Sequence, residues 1–219
     1  MASRLVAVSF AALEPERLVR FWGEFLRWEP DGLTLLPVDD TGFGLGFVPT
    51  EEPKRAQNRA HFDLTSTSLE DQQHTVARAL DLGARHVDVG QRPDEPHVVL
   101  ADPEGNEFCV IEPGNKFLAD CGVIGALACD GSQEVGYFWS AALGWPLMWD
   151  QNEETAIRSP HGGPKITWGG PPLMPRVGSD RVRFELEPQG DRQAELERLV
   201  SLGATPDLTD PDGNAFSLT

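Results

Sequence analysis

The chain contains the same order of motifs twice, and this duplication constrains its fold more than any other feature. Residues 21–28, Phe-Trp-Gly-Glu-Phe-Leu-Arg-Trp, return at 138–145 as Phe-Trp-Ser-Ala-Ala-Leu-Gly-Trp. Ala-His-Phe-Asp-Leu at 60–64 returns as Val-Arg-Phe-Glu-Leu at 182–186, and Leu-Gly-Ala at 82–84 returns at 202–204. Asp-Pro-Glu-Gly-Asn at 102–106 returns as Asp-Pro-Asp-Gly-Asn at 210–214. Four matches in one order mean two homologous domains, each large enough to bury a core. We place them at 1–115 and 116–219, joined at the turn-forming Glu112-Pro113-Gly114-Asn115. The second copy lacks the equivalent of residues 91–99 and is expected to lack a hairpin at that edge. The apolar run 5–13 behind Arg4 has the look of a signal-peptide core, but a comparable run at 123–129 precedes the second Phe-Trp motif. Targeting segments are not duplicated mid-chain, so both runs read as strands.

Each copy breaks into shorter units. In the first, a strand over 5–10 precedes a helix that begins near Pro15 and buries Leu18, Trp22 and Phe25 on one face. Residues 33–38 and 43–48 read as strands about the Asp39-Asp40-Thr41-Gly42 turn. The pattern then restarts. A strand over 61–64 leads to a helix capped by Ser68, with Leu69, Gln73, Val76 and Leu80 on its inner side and Gly83 at its end. Residues 98–100 and 108–111 form a hairpin about Asp-Pro-Glu-Gly-Asn. Trp22 and Trp139, at helical spacing with apolar neighbours, read as core anchors.

Composition removes several functional classes. Acidic residues outnumber basic ones 35 to 18, for a net charge of −17. Such a chain repels phosphate backbones and anionic lipid, so neither nucleic acid nor a membrane is expected as a partner. Its field suits a cationic small molecule. The three cysteines, Cys109, Cys121 and Cys129, form no CxxC pair, which argues against a disulfide framework or a structural zinc and for the cytoplasm. Residues 42–46 are glycine-rich but precede neither a helix nor a lysine, so they read as a flexible strand edge rather than a phosphate loop.

The Phe-Trp helix, the His61-Phe62-Asp63-Leu64 strand and the Asp-Pro-x-Gly-Asn turn before a last apolar strand resemble the vicinal oxygen chelate superfamily of glyoxalase, bleomycin-resistance and dioxygenase-like proteins. The resemblance spans nearly the whole chain, twice. It implies an α+β fold of two tandem domains, each a pair of βαβββ modules curling around a cup. It also implies metal ligands on the first, fifth and eighth strands of a domain. In domain one those positions hold no donor over 5–10, then His61, then Cys109; in domain two they hold no donor, Arg183 and Ser217. The expectation is therefore that no metal cofactor is held, with a divalent ion at His61 and Cys109 as the alternative.

Alternation on the strands puts His61, Asp63, Cys109 and Ile111 on the cup face, opposite Phe62, Leu64, Phe108 and Val110. His61 reads as a general base, a residual ligand or a wall residue bonded to Asp63. Cys109 reads as a nucleophile beside His61 or as a small buried hydrophobe. Phe43, Phe47, Asp63, Trp149, Trp168 and Arg183 are the candidate ligand-binding residues. Two functions follow: binding of a small organic metabolite in an aromatic-lined cup without a metal, or a lyase, isomerase or dioxygenase acting at domain one through His61 and Cys109. A third reading makes domain two, with its eroded site, a scaffold that pairs with domain one. A monomer with paired domains and a homodimer are both compatible with the duplication.

Overall fold

Four copies of one strand–helix–strands module build the molecule, whose computed structural model describes residues 2–219. Module I comprises β1 (Arg4–Ala12), α1 (Pro15–Leu26), β2 (Glu29–Asp31), β3 (Thr34–Leu36) and β4 (Gly44–Pro49). Module II comprises β5 (Ala60–Leu64), α2 (Leu69–Asp81), β6 (Arg85–His86), β7 (Val98–Ala101) and β8 (Glu107–Val110). Module III comprises β9 (Ile124–Cys129), α3 (Gln133–Leu143), β10 (Leu147–Gln151), β11 (Glu154–Arg158) and β12 (Lys165–Trp168). Module IV retains only β13 (Val182–Glu187), α4 (Arg192–Leu202) and β14 (Phe216–Leu218). Its shortened segment leaves no equivalents of β6 and β7, as the deletion in the second repeat implies.

The α+β class and the tandem repeat are as the sequence reads; the pairing of modules is not. Strand order is β14-β13-β1-β4-β3-β2 in one sheet and β10-β11-β12-β9-β5-β8-β7-β6 in the other. Modules I and IV share the six-stranded sheet, and modules II and III the eight-stranded one. The resemblance places a cup inside each sequence half, whereas hydrogen bonding builds each concave sheet across the joint. The seams are antiparallel: β1 runs against β13, and β5 against β9.

The cores run the other way. Trp22 on α1 lies 6.0 Å from Phe62 and 5.1 Å from Phe108, joining module I to module II. Trp139 on α3 lies 4.6 Å from Phe184 and 5.4 Å from Phe216, joining III to IV. Each tryptophan indole also donates to the aspartate of the repeated turn: Trp22 Nε1 to Asp102 Oδ2 and Trp139 Nε1 to Asp210 Oδ2, both at 3.1 Å. Aromatic packing thus holds the modules within each half, and backbone ladders hold the halves together. Truncating a buried tryptophan of this kind costs about 3–5 kcal/mol.

Local geometry explains the elements and corrects some expectations. Ser68 caps α2 by accepting from the Asp71 amide. The expected inner face of α2 is half right: Val76 and Leu80 pack against the core, but Leu69 and Gln73 are exposed and Gln72 and Ala79 are buried in their stead. Gln72 earns that place by donating through Nε2 to the Pro96 and Val110 carbonyls. The N-terminus of α1 has no cap of its own; the Glu104 carboxylate accepts from the Leu13 and Glu14 amides. The strand expected over 33–38 shortens to β3, because Leu33 lies with Gly32 in the turn that pairs β2 with β3. Nor is the glycine-rich 42–46 segment an edge. It enters β4 between β1 and β3, and a Cβ on Gly44 would meet the Leu35 carbonyl oxygen at 3.0 Å. Gly136 is held more tightly still: a Cβ there would lie 1.9 Å from Thr155 Oγ1, so only glycine lets α3 settle on β11.

Candidate functional site

Partners across a β-ladder point to the same face, so the registers define what lines the eight-stranded cup. One row runs Trp149, Ala156, Thr167, Ala128, His61 across β10, β11, β12, β9 and β5. The next runs Arg158, Lys165, Ala126, Asp63, Cys109, Val99. Four small residues, Ala126, Ala128, Ala156 and Thr167, therefore floor the middle of the sheet, with His61, Asp63 and Cys109 on one side and Trp149 on the other. The opposite face carries Phe62, Leu64, Phe108, Val110, Ile166 and Trp168 into the core.

The imidazole, carboxylate and thiol of His61, Asp63 and Cys109 all lie within 4.8 Å of one another. His61 Nε2 is 3.4 Å from Asp63 Oδ1, and the two side chains keep 30% and 20% of their surface exposed. Burial by itself would lower the His61 pKa. Its hydrogen bonds and charge interactions with Asp63 and Cys109 outweigh that and raise it from 6.5 to about 10. For Cys109 burial is the largest influence and pushes the thiol up, against the pull of His61. Both shifts act in one direction: at neutral pH the His61 imidazole keeps its extra proton and the Cys109 thiol stays neutral. That is the reverse of an activated cysteine nucleophile.

In metal-free protein the His61 ring is accordingly expected to titrate far above 6.5, near 10, in an NMR titration. Asp63→Asn, which removes the main partner while burial persists, is expected to bring the midpoint back to 6.5 or below. The sign follows from the raised pKa: stability from the pair is complete below pH 6.5 and is lost as pH climbs through about 10. A wild-type midpoint near 6.5 would refute the pairing.

The donor set bears on the divalent ion that cups of this kind imply. The strand beside β5 is β9, whose cup-facing Ala126 and Ala128 offer no ligand atom. The third donor is instead Asp63, two residues along from His61 on the same face. One nitrogen, one oxygen and one sulfur with an open approach match three protein ligands plus a free position, the pattern of a catalytic zinc site. These residues fit such an ion, and taking it up means expelling the imidazolium and thiol protons.

Other candidates fall elsewhere. Phe43 and Phe47 are each 2% exposed and belong to the core, as β4 alternation turns them from the cup. Trp168, also 2% exposed, sits on the core face of β12. Arg183 is exposed on the concave face of the six-stranded sheet, in a row with Ser9, Gly46 and Thr34. Of the aromatic candidates only Trp149 shares the face of His61, and the ring of Phe117 stands edge-on to it at 6.4 Å.

Sequence reasoning overlooked Phe117, Leu118 and Lys165. The joint between the repeats is more than a turn: its Leu118 is buried against Val99, Cys109, Ile111 and Ala126, and so covers part of the cup. Lys165 is buried beside it; its ammonium donates to the Phe117 carbonyl and lies 4.7 Å from that ring's centre. The alternation of Ile166 and Trp168 inward already turns Lys165 toward the cup. Nothing in the sequence says that the joint returns to meet it.

A concave mixed sheet with helices on its outer face and a cluster of potential ligands inside defines the glyoxalase class of protein. The glyoxalase-like domain model matches residues 7–111 and again 125–219. The chain belongs to that family, as a tandem member of the vicinal oxygen chelate superfamily. Among solved structures it is similar to glyoxalase I from Zea mays, with TM-score 0.62 and 12% identity over 99% of this chain and 92% of that one. It is also similar to a protein from Bacillus subtilis provisionally named a dioxygenase, with TM-score 0.58 and 12% identity over 94% of this chain and 77% of the other. No curated protein matches the sequence. No helix among the described residues is long and apolar enough to cross a membrane.

Proposed function

We propose that the protein binds a small organic molecule on the concave face of its eight-stranded sheet. The observation that carries this reading is the row from Trp149 to His61 over alanine and threonine. It leaves an indole face for an apolar body and an imidazole–carboxylate pair for a polar group. The chain pairs both of its module seams internally, which supports a monomer. The reading is tested by a thermal-shift screen of metabolites on metal-stripped protein. A true ligand raises the unfolding midpoint of the wild type but not of Trp149→Ala or His61→Gln. Hits indifferent to both variants would sink it.

The convergence of three donor types favours a second reading, a metal-dependent lyase, isomerase or dioxygenase. His61, Asp63 and Cys109 would hold the ion, which when bound polarises a ligand oxygen as a Lewis acid. The protein's own contribution is to orient His61 through Asp63 and to keep one approach open beside Trp149. Elemental analysis after loading with zinc, manganese, nickel or iron decides between the readings. About one retained ion per chain, lost in His61→Ala, is the expected signature of the enzyme; no retained ion leaves the binding protein.

A further inference from the structure

The six-stranded sheet has a concave face of its own, and a glycine opens a notch in it. Ala7 and Ser9 on β1, Gly44 and Gly46 on β4, and Arg183 and Glu185 on β13 share that face. A Cβ built on Gly46 would have as its nearest neighbours Ser9 Cβ at 3.3 Å, Glu185 Oε1 at 3.7 Å and Thr34 Oγ1 at 3.7 Å. The Glu185 carboxylate therefore leans from β13 across β1 toward the space above Gly46, where any other residue would place its own side chain.

The oxygens around the notch are free. The Ser9 and Thr34 hydroxyls and the Glu185 carboxylate have no side-chain hydrogen bond or ion pair among the described residues. Ser9 is only 4% exposed, and its hydroxyl, unlike those of Ser66 and Thr155, is not sealed from the surface. Glu187, two residues on along the same face, is by contrast taken up by Arg4. Polar groups so enclosed are ordinarily hydrogen-bonded, so three acceptors around one glycine call for a ligand that donates in three directions. A primary ammonium carries three N–H donors and the charge that Glu185 lacks. The rest of the face indicates what else that ligand holds. Arg183, beside Ser9 in the ladder, is exposed and has no carboxylate partner among the described residues. A free guanidinium matches a ligand carboxylate. Leu36 and Val48, which alternation puts on the same face as Thr34 and Gly46, are 47% and 49% exposed and offer apolar cover.

We infer that this face is a second ligand site, separate from the eight-stranded cup, and that it takes an aliphatic α-amino acid as its zwitterion. The ammonium sits in the notch between Glu185, Ser9 and Thr34, the carboxylate turns to Arg183, and the side chain lies against the apolar neighbours. Module IV supplies the charges and module I the notch, so the site exists only where the two halves share a sheet. It uses no member of the His61 cluster and stands whichever reading of the cup is correct.

The probe is L-leucine, titrated into the full-length protein and followed by NMR. The backbone amides of Ser9 and Gly46 report on the notch, and the Trp149 indole N–H on the cup. Saturable shifts of the two amides with Trp149 unmoved are expected, weakened about tenfold in Glu185→Gln and about fivefold in Arg183→Gln. Both side chains reach solvent and hold no partner among the described residues, so these replacements leave the fold intact. His61→Gln should bind as the wild type does. N-acetyl-L-leucine, which keeps the carboxylate and side chain but has no ammonium, is expected to give no saturable shift. The inference is overturned by equal binding of the acetylated compound, by undiminished affinity in Glu185→Gln, or by shifts confined to Trp149. Failure to saturate by about 10 mM, beyond which affinity is too weak to matter, overturns it as well.

Discussion

Expressed alone, residues 1–115 are expected to form a two-fold dimer rather than a folded monomer. In the full chain β1 is covered by β13 and β5 by β9, so removing the second half strips a long, apolar backbone edge from both sheets. Bare edges of that kind seek new strands. Module III is a copy of module I, and module IV of module II. Two copies of the first half can therefore close both seams at once, β1 of each against β5 of the other. Sedimentation or size-exclusion measurements at several concentrations decide the matter. A monomer that melts cooperatively, with the midpoint of the intact protein, would show that the seams contribute little and that the aromatic core alone holds a half together.

Replacing Asp102 with alanine is expected to lower the unfolding midpoint by about 10 °C, corresponding to a loss of about 4 kcal/mol. The carboxylate is fully buried and accepts four hydrogen bonds: from Trp22 Nε1, Asn106 Nδ2 and the amides of Glu104 and Asn106. Truncation leaves four donors in a dry environment. It also frees the helix that carries Trp22 from the turn that orients β8, and with β8 goes Cys109. Burial, the largest influence, raises the Asp102 pKa, so it is the donors around it that keep the carboxylate there at all. Asp210→Ala is expected to act likewise on the second half, where Trp139 and Asn214 surround it. Trp22→Phe, which removes one donor and keeps most of the ring, is expected to cost only about 1 kcal/mol. Matching losses for Trp22→Phe and Asp102→Ala in a denaturant titration would mean that packing, not the polar knot, carries the energy.

The polar knot shows how a motif can be found without its purpose being read. The Asp-Pro-x-Gly-Asn repeat is legible as a turn because proline and glycine limit the backbone locally. That its aspartate Asp102 reaches back 80 residues to Trp22 is a property of packing. The cup divides in the same way. The alternation of His61, Asp63 and Cys109 away from Phe62 and Phe108 follows from the two-residue period of a strand, and the structure brings those three side chains together. The ring candidates Phe43 and Phe47 lie on the apolar phase of β4, and only the identity of the core-facing phase decides that they are lost to the cup.

What the sequence determined by itself was the repeat, the α+β class, the missing hairpin of the second copy and the helix and turn signals, because each depends on residues close together in the chain. The tertiary structure alone decided which modules share a sheet. A strand's pattern of apolar and polar residues specifies which face is buried but not which neighbour completes its ladder, since backbone hydrogen bonds are the same for every partner. Homologous modules make that ambiguity complete: β1 could meet a strand of its own half or of the other. The cup and the cover laid over it by Leu118 both depend on that choice, and so they become visible only once the halves are folded against each other.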